Sequence, residues 1–256
     1  MSFSRKKGLS KGGAHVLFLR KRNVNYSGVK DMIRIFWSTL LLLMVALSGC
    51  SEEPQRIAAQ EIETETVKEL PVKSIVALGD SLTAGFGVEL SESYPALLEE
   101  KLKKNGYTYK VINAGVSGET SSGTLARLEW ILTQAPDIVI VETGANDGLR
   151  GISTALLEEN LREIVRVLQT KKTAILLVGM QMVWNLGPDY VAQFNAVYPA
   201  IANENNLELM PFFLKDVATI PHLNQGDGIH PNREGYEVIV ENIYPHVVRV
   251  IESVNR

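Results

Sequence analysis

Val76-Ala77-Leu78-Gly79-Asp80-Ser81-Leu82-Thr83-Ala84-Gly85 runs an apolar strand into a small-residue turn that carries a serine. A serine at such a strand end is a candidate nucleophile. It is weak at its own pKa and reacts only when a neighbouring base takes its proton and a third group orients that base. Far along the chain, Asp227-Gly228-Ile229-His230 offers both partners: His230 for Ser81, and Asp227 for His230. Acid and base three residues apart, with Gly228 between them, require a tight loop that aims both side chains inward, and Pro231 restricts the backbone after His230.

Outward from that strand the chain alternates strand and helix signals. Aliphatic or β-branched runs occur at Ser74 to Leu78, Tyr109 to Asn113, Ile138 to Glu142, Ala174 to Gly179 and, weakly, Leu207 to Met210. Between them, Ser153 to Gln169 places Leu157, Leu161, Ile164, Val165 and Leu168 on one stripe and Glu158, Glu159, Arg162 and Arg166 on the other. Pro95 stands where a first helical turn tolerates it, ahead of Leu97, Leu98 and Leu102, and a last helix starts near Arg233. Repeated βαβ units of this kind predict an α/β domain, a five-stranded parallel sheet covered by helices on both faces. Ligands bind such sheets beyond the carboxyl ends of the strands, so the distant loop with Asp227 and His230 is expected to return to the rim that carries Ser81.

Four separated blocks, GDSLTAG at Gly79–Gly85, NAGVSGET at Asn113–Thr120, GANDGLRG at Gly144–Gly151 and DGIHPN at Asp227–Asn232, resemble in sequence and order those of the GDSL-type esterases of the SGNH hydrolase superfamily. Within it the chain is most similar to the bacterial thioesterase I, arylesterase and lysophospholipase group, from about Val72 to the C-terminus. The resemblance implies a three-layer α/β/α sandwich of flavodoxin-like type. By position it makes Ser81 the nucleophile, completed by Asp227 and His230. It adds Gly118 and Asn146, with the Ser81 backbone N–H, as the oxyanion hole, Gly118 being preferred to Gly115 because it lies in the SGET context. A donor fixed where charge develops in the transition state is worth about 3 kcal/mol. The implied activity is hydrolysis of acyl or aryl esters and thioesters through an acyl-enzyme, with lipid-derived substrates, no cofactor and a monomeric state. The same superfamily includes deacetylases of sugars and cell-wall glycans, which is the alternative substrate class. An alternative of another kind is a lipid-anchored binding module without turnover, against which the intact Ser81, Asn146, Asp227 and His230 argue.

Composition agrees with one hydrolase domain: 256 residues, 45% hydrophobic and 21% charged, with about 185 of them from Val72 onward. The net charge of -3 hides an asymmetry, because the first 50 residues hold nine Lys or Arg against one Asp, and the remainder 17 basic against 28 acidic residues. An acidic domain is a poor partner for nucleic acid, which needs clustered Lys and Arg.

The N-terminus reads as an export signal. Arg34 precedes an apolar run of 13 residues, Ile35 to Leu47, short for a bilayer span and suited to a signal core. It ends in Leu47-Ser48-Gly49-Cys50, which resembles the lipobox of bacterial lipoproteins, where cleavage precedes a cysteine that becomes lipidated. An ordinary secretory signal is the alternative. Cys50 is the one cysteine in the sequence, so no disulfide forms within the chain. Residues 32–49 are therefore read as the signal and 50–71 as a polar, acidic tether with Glu52, Glu53, Glu61, Glu63, Glu65 and Glu69. The hydrolase domain follows over 72–256, on the periplasmic side of the envelope and held to a membrane by lipid. Because Met32 heads a complete signal, residues 1–31 are read as a mis-called N-terminal extension, with a long basic leader as the alternative; finding 1–31 in the mass of the precursor refutes that reading.

Other chemistries lack their motifs. There is no G-x-S-x-G elbow, no H-E-x-x-H or paired Cys and His spacing for a metal, and no phosphate-binding G-x-x-x-x-G-K-[ST]. Asp80 is assigned to the turn, Glu119 and Asp147 to the flanks of the site, and His222 and His246, which lack a carboxylate at motif spacing, to structure. Met180, Met182, Trp184 and Leu186 are candidates for an acyl pocket, although such residues more often pack a core or loop.

Overall fold

The computed structural model describes residues 73–182 and 186–256. The expected signal and tether, Cys50 and Trp184 lie outside the described residues. Five strands, β1 (Lys73–Gly79), β2 (Tyr109–Gly115), β3 (Ile138–Glu142), β4 (Ala174–Val178) and β5 (Glu208–Met210), form one sheet in the order β2-β1-β3-β4-β5, and every pairing is parallel. β3 is buried along its whole length and β1 from Ile75 to Gly79, which is why both read as unbroken apolar runs rather than alternating ones.

Helices cover both faces. On one, α2 (Tyr94–Lys104), with Pro95 in its first turn, packs against β2 and against the long α8 (Arg233–Val254). On the other, α6 (Thr154–Thr170) packs against α3 (Ser121–Ala126) and α7 (Pro188–Asn205). Its predicted stripe is buried as expected, Leu157, Leu161, Ile164 and Leu168 being wholly so. Three short helices complete the set: α1 (Ser81–Ala84), α4 (Leu128–Leu132) and α5 (Ala145–Leu149). The three layers and the parallel sheet are those expected. β1 and β2 extend to Gly79 and Gly115, past the aliphatic runs, because those glycines pair in register. β4 stops one residue short of the predicted Gly179, whose N–H instead donates to the Met210 carbonyl at 2.8 Å.

β1 lies between β2 and β3, so the loops after these three strands are neighbours at one rim. Ser81, Gly118 and Asn146 follow β1, β2 and β3 respectively. Among the described residues, no helix is long and apolar enough to cross a membrane.

Candidate active site

Ser81 is the first residue of α1, directly beyond β1. Asp80 caps that helix, its Oδ1 accepting from the Leu82 N–H at 2.9 Å, and so fixes the turn that presents the serine. Ser81 Oγ lies 2.9 Å from His230 Nε2, and His230 Nδ1 lies 2.7 Å from Asp227 Oδ2. The loop expected to aim acid and base inward does so: Asp227 Oδ1 accepts from the backbone N–H groups of Ile229 and His230, both at 3.0 Å. Those backbone bonds, with the imidazole, pull the Asp227 carboxyl down to about 2, so it is ionised at neutral pH. A carboxylate at Nδ1 sets the tautomer that leaves Nε2 as the acceptor facing the serine hydroxyl.

Two further contacts hold the imidazole's loop. The Phe86 ring lies against His230, centroids 4.7 Å apart. Gln225 Nε2 donates to the Phe86 carbonyl at 2.6 Å and to the Pro231 carbonyl at 2.9 Å, tying the segment after the serine to the one around the histidine.

The second and third blocks meet Ser81 from either side. Gly115 is a packing glycine: a Cβ there would fall 2.1 Å from the Ala84 backbone nitrogen, and its N–H is taken by Asn113 Oδ1 at 3.0 Å. Gly118 differs. It has φ +79 in the turn closed by Glu119 N–H to the Val116 carbonyl at 3.1 Å, and its own N–H has no partner among the described residues. From β3, Asn146 Nδ2 donates to Asp80 Oδ2 at 3.1 Å, which orients the amide and leaves its second hydrogen unassigned. Asp80 therefore serves more than the turn assigned to it.

Asp80 is wholly buried, and burial pushes its carboxyl up to about 6. Beneath it Glu142 is raised well above the ordinary range by burial, with the Asp80 charge second. Glu142 Oε2 accepts from the Thr83 hydroxyl at 2.8 Å and the Asp80 N–H at 3.4 Å. Of the flanking carboxylates, Asp147 accepts from the Ser121 N–H at 2.8 Å and hydroxyl at 2.5 Å at the start of α3, and Glu119 pairs with Arg127. His246 does have a carboxylate, Glu208 at 2.6 Å, which no local spacing could announce because the two are 38 residues apart.

A cavity of about 580 Å³ opens over Ser81, within the range usual for small-molecule sites. Its wall is largely apolar, with Phe86, Leu149, Met180, Met182, Phe212 and Leu214 around the serine and histidine. Met180 and Met182 were among the expected pocket residues. Phe86, Leu149, Phe212 and Leu214 were missed, since a side chain in a loop or at the end of a short helix carries no periodic signal of where it points. Leu186, also expected, is not part of this wall.

Residues 77–238 match the GDSL-like Lipase/Acylhydrolase family. Esterase TesA of Pseudomonas aeruginosa is 39% identical over 174 residues, covering 68% of this chain and 87% of that protein. Thioesterase 1/protease 1/lysophospholipase L1 of Escherichia coli is 38% identical over 177 residues, 69% of this chain and 84% of that one. The crystal structure of AlinE4, an SGNH-hydrolase family esterase, superposes with a TM-score of 0.59 at 42% identity, covering 70% of this chain and 96% of that one. With a serine, a histidine and an aspartate in contact at the rim of this sheet, the chain belongs to the GDSL-like lipase/acylhydrolase family and is a serine hydrolase of ester bonds.

Proposed function

We propose that the protein hydrolyses acyl esters and thioesters with apolar, lipid-derived acyl chains, through an acyl-enzyme on Ser81. One observation carries this: Ser81 and His230, 2.9 Å apart and backed by Asp227 at 2.7 Å from the imidazole, line a cavity with an apolar wall. Ser81 Oγ bonds to the acyl carbon as its proton passes to His230 Nε2, and the ionised Asp227 stabilises the resulting imidazolium. The carbonyl oxygen becomes an anion facing the Ser81 N–H, the Gly118 N–H and the Asn146 amide. His230 then protonates the leaving alcohol or thiol as its bond to the acyl carbon breaks. Water, deprotonated by His230 in its turn, attacks the acyl-serine and releases the acid, returning the proton to Ser81. The thioesterase and lysophospholipase names of the Escherichia coli relative agree with this substrate class.

A chain-length series of p-nitrophenyl esters, run beside Ser81→Ala, tests the reading. It requires turnover that rises from acetyl to medium chains and vanishes with Ser81→Ala. Activity on acetyl esters alone would favour a deacetylase, and no turnover at all a binding module. The reading places the enzyme on the periplasmic side of the envelope, lipid-anchored through Cys50, on the strength of the signal ending Leu47-Ser48-Gly49-Cys50.

A further inference from the structure

Arg127 carries a charge into the region behind the oxyanion loop: its side chain is 18% exposed and that of its partner Glu119 is 7%. The pairing is bidentate, Nε to Glu119 Oε1 at 2.7 Å and Nη2 to Oε2 at 2.8 Å. The same Nη2 reaches the Ala114 carbonyl at 2.7 Å and the Gly79 carbonyl at 3.2 Å. Glu119 Oε2 is further held by the Thr124 hydroxyl at 3.0 Å. One guanidinium thus ties together the ends of β1 and β2 and the residue that closes the Gly118 turn. Two of these ties lie close in the chain to an oxyanion donor. Gly79 stands two residues before Ser81, Glu119 directly follows Gly118, and the Val116 N–H that opens the turn donates to the same Gly79 carbonyl at 2.9 Å.

Stability alone is a weak reason for such a pair, since well-packed apolar residues often replace a buried ion pair at no loss. Geometry is a stronger one. A planar fork bridges a carboxylate and two carbonyls at fixed angles, which a lysine ammonium on a flexible stem cannot reproduce. We infer that Arg127, held by Glu119, is a positioning residue that sets the spacing of the Ser81 and Gly118 N–H groups for the oxyanion; this rests on the assignment of those donors made above.

The test uses Arg127→Lys, Arg127→Met and Glu119→Gln, with melting temperature, kcat and KM on a p-nitrophenyl ester, and affinity for an alkyl boronic acid. The boronic acid forms a reversible tetrahedral adduct with the serine and reads the oxyanion site, which the melting temperature does not. We expect kcat to fall roughly 10- to 100-fold in Arg127→Met, short of or equal to the loss of one donor. KM should stay within about twofold, as for an interaction made in the transition state alone. Boronic acid affinity should fall in parallel, and Arg127→Lys should recover part of both. Folded variants with unchanged kcat, a loss confined to KM, or unchanged boronic acid affinity would overturn the inference. So would a failure of all three variants to fold, which would assign the pair to stability. Wild-type activity in Ser81→Ala would instead bring down the site assignment itself, so the two failures are distinguishable.

Discussion

Asn146 is the residue whose removal reads the chemistry most cleanly. Its amide is aimed by Asp80 at 3.1 Å. Asn146→Ala should leave the fold intact and lower kcat on the order of 100-fold, the size of one oxyanion donor. An effect on KM alone would make Asn146 a substrate contact without a role in the transition state. Asp80 makes a second prediction, in pH. Its carboxyl is raised from 3.8 to about 6 in the folded protein, so over that range the folded state binds more protons than the unfolded one. The contribution of Asp80 to stability is therefore greatest below about 4 and lost as pH rises through about 6. The difference in unfolding free energy between wild type and Asp80→Asn should fall with rising pH across that window; a flat or rising difference would show that Asp80 is not shifted upward. The contacts of Ser81, His230 and Asp227 were legible in the chain because each is spelled within a compact block. The Asp80–Asn146 bond was not, because it exists only once β1 and β3 are neighbours.

At the scale of elements, the strand and helix signals that succeeded were those with one environment along their length. β3 and most of β1 are buried on both faces, and α6 has a single buried stripe, so burial and sequence pattern coincide. Leu161 is wholly buried in that stripe, and Leu161→Ala should cost about 2–5 kcal/mol of stability with kcat retained, measured by denaturant unfolding. A loss below 1 kcal/mol would mean that the α6 face repacks around the cavity. α7 was not read from the sequence. Its buried side includes Val191, Phe194 and Tyr198, but Pro188 opens it and Pro199 lies inside it, and a proline within a helix normally signals its end. The helix is nonetheless anchored next to that proline by Tyr198, which is buried and whose hydroxyl donates to the Thr143 carbonyl at 2.8 Å. The ends of β1 and β2 were read short for a related reason: Gly79 and Gly115 have no strand propensity, yet both are needed where backbones approach closely.

For the whole molecule, the proposed lipid anchor at Cys50 bears on how the apolar cavity would meet its substrate. The described domain begins at Lys73, the amino end of β1, while Ser81 stands at its carboxyl end. A lipid-anchored chain would need its tether to bring that far rim towards substrate, and 22 residues behaving as a flexible coil reach ~25 Å. The expressed protein should partition with membranes, and Cys50→Ser should shift the exported product to the soluble fraction. A wild-type protein cleaved elsewhere than before Cys50, and recovered soluble from the periplasm, would reject the anchor while leaving the hydrolase untouched. The shape of the acyl pocket was the least legible property, because the wall gathers Phe86 from the turn after α1, Leu149 from the end of α5, and Phe212 and Leu214 from the segment after β5, none of which carries a sequence pattern that marks the cavity they share.

The proposed mechanism stands on Ser81 as the nucleophile and His230 as the base that activates it. Treatment with an alkyl fluorophosphonate, followed by peptide mass mapping, tests this directly. A single adduct is expected on Ser81, absent from Ser81→Ala and formed far more slowly in His230→Ala, with ester hydrolysis lost in step with labelling. An adduct on another residue, or full hydrolysis by a folded Ser81→Ala protein, would contradict it.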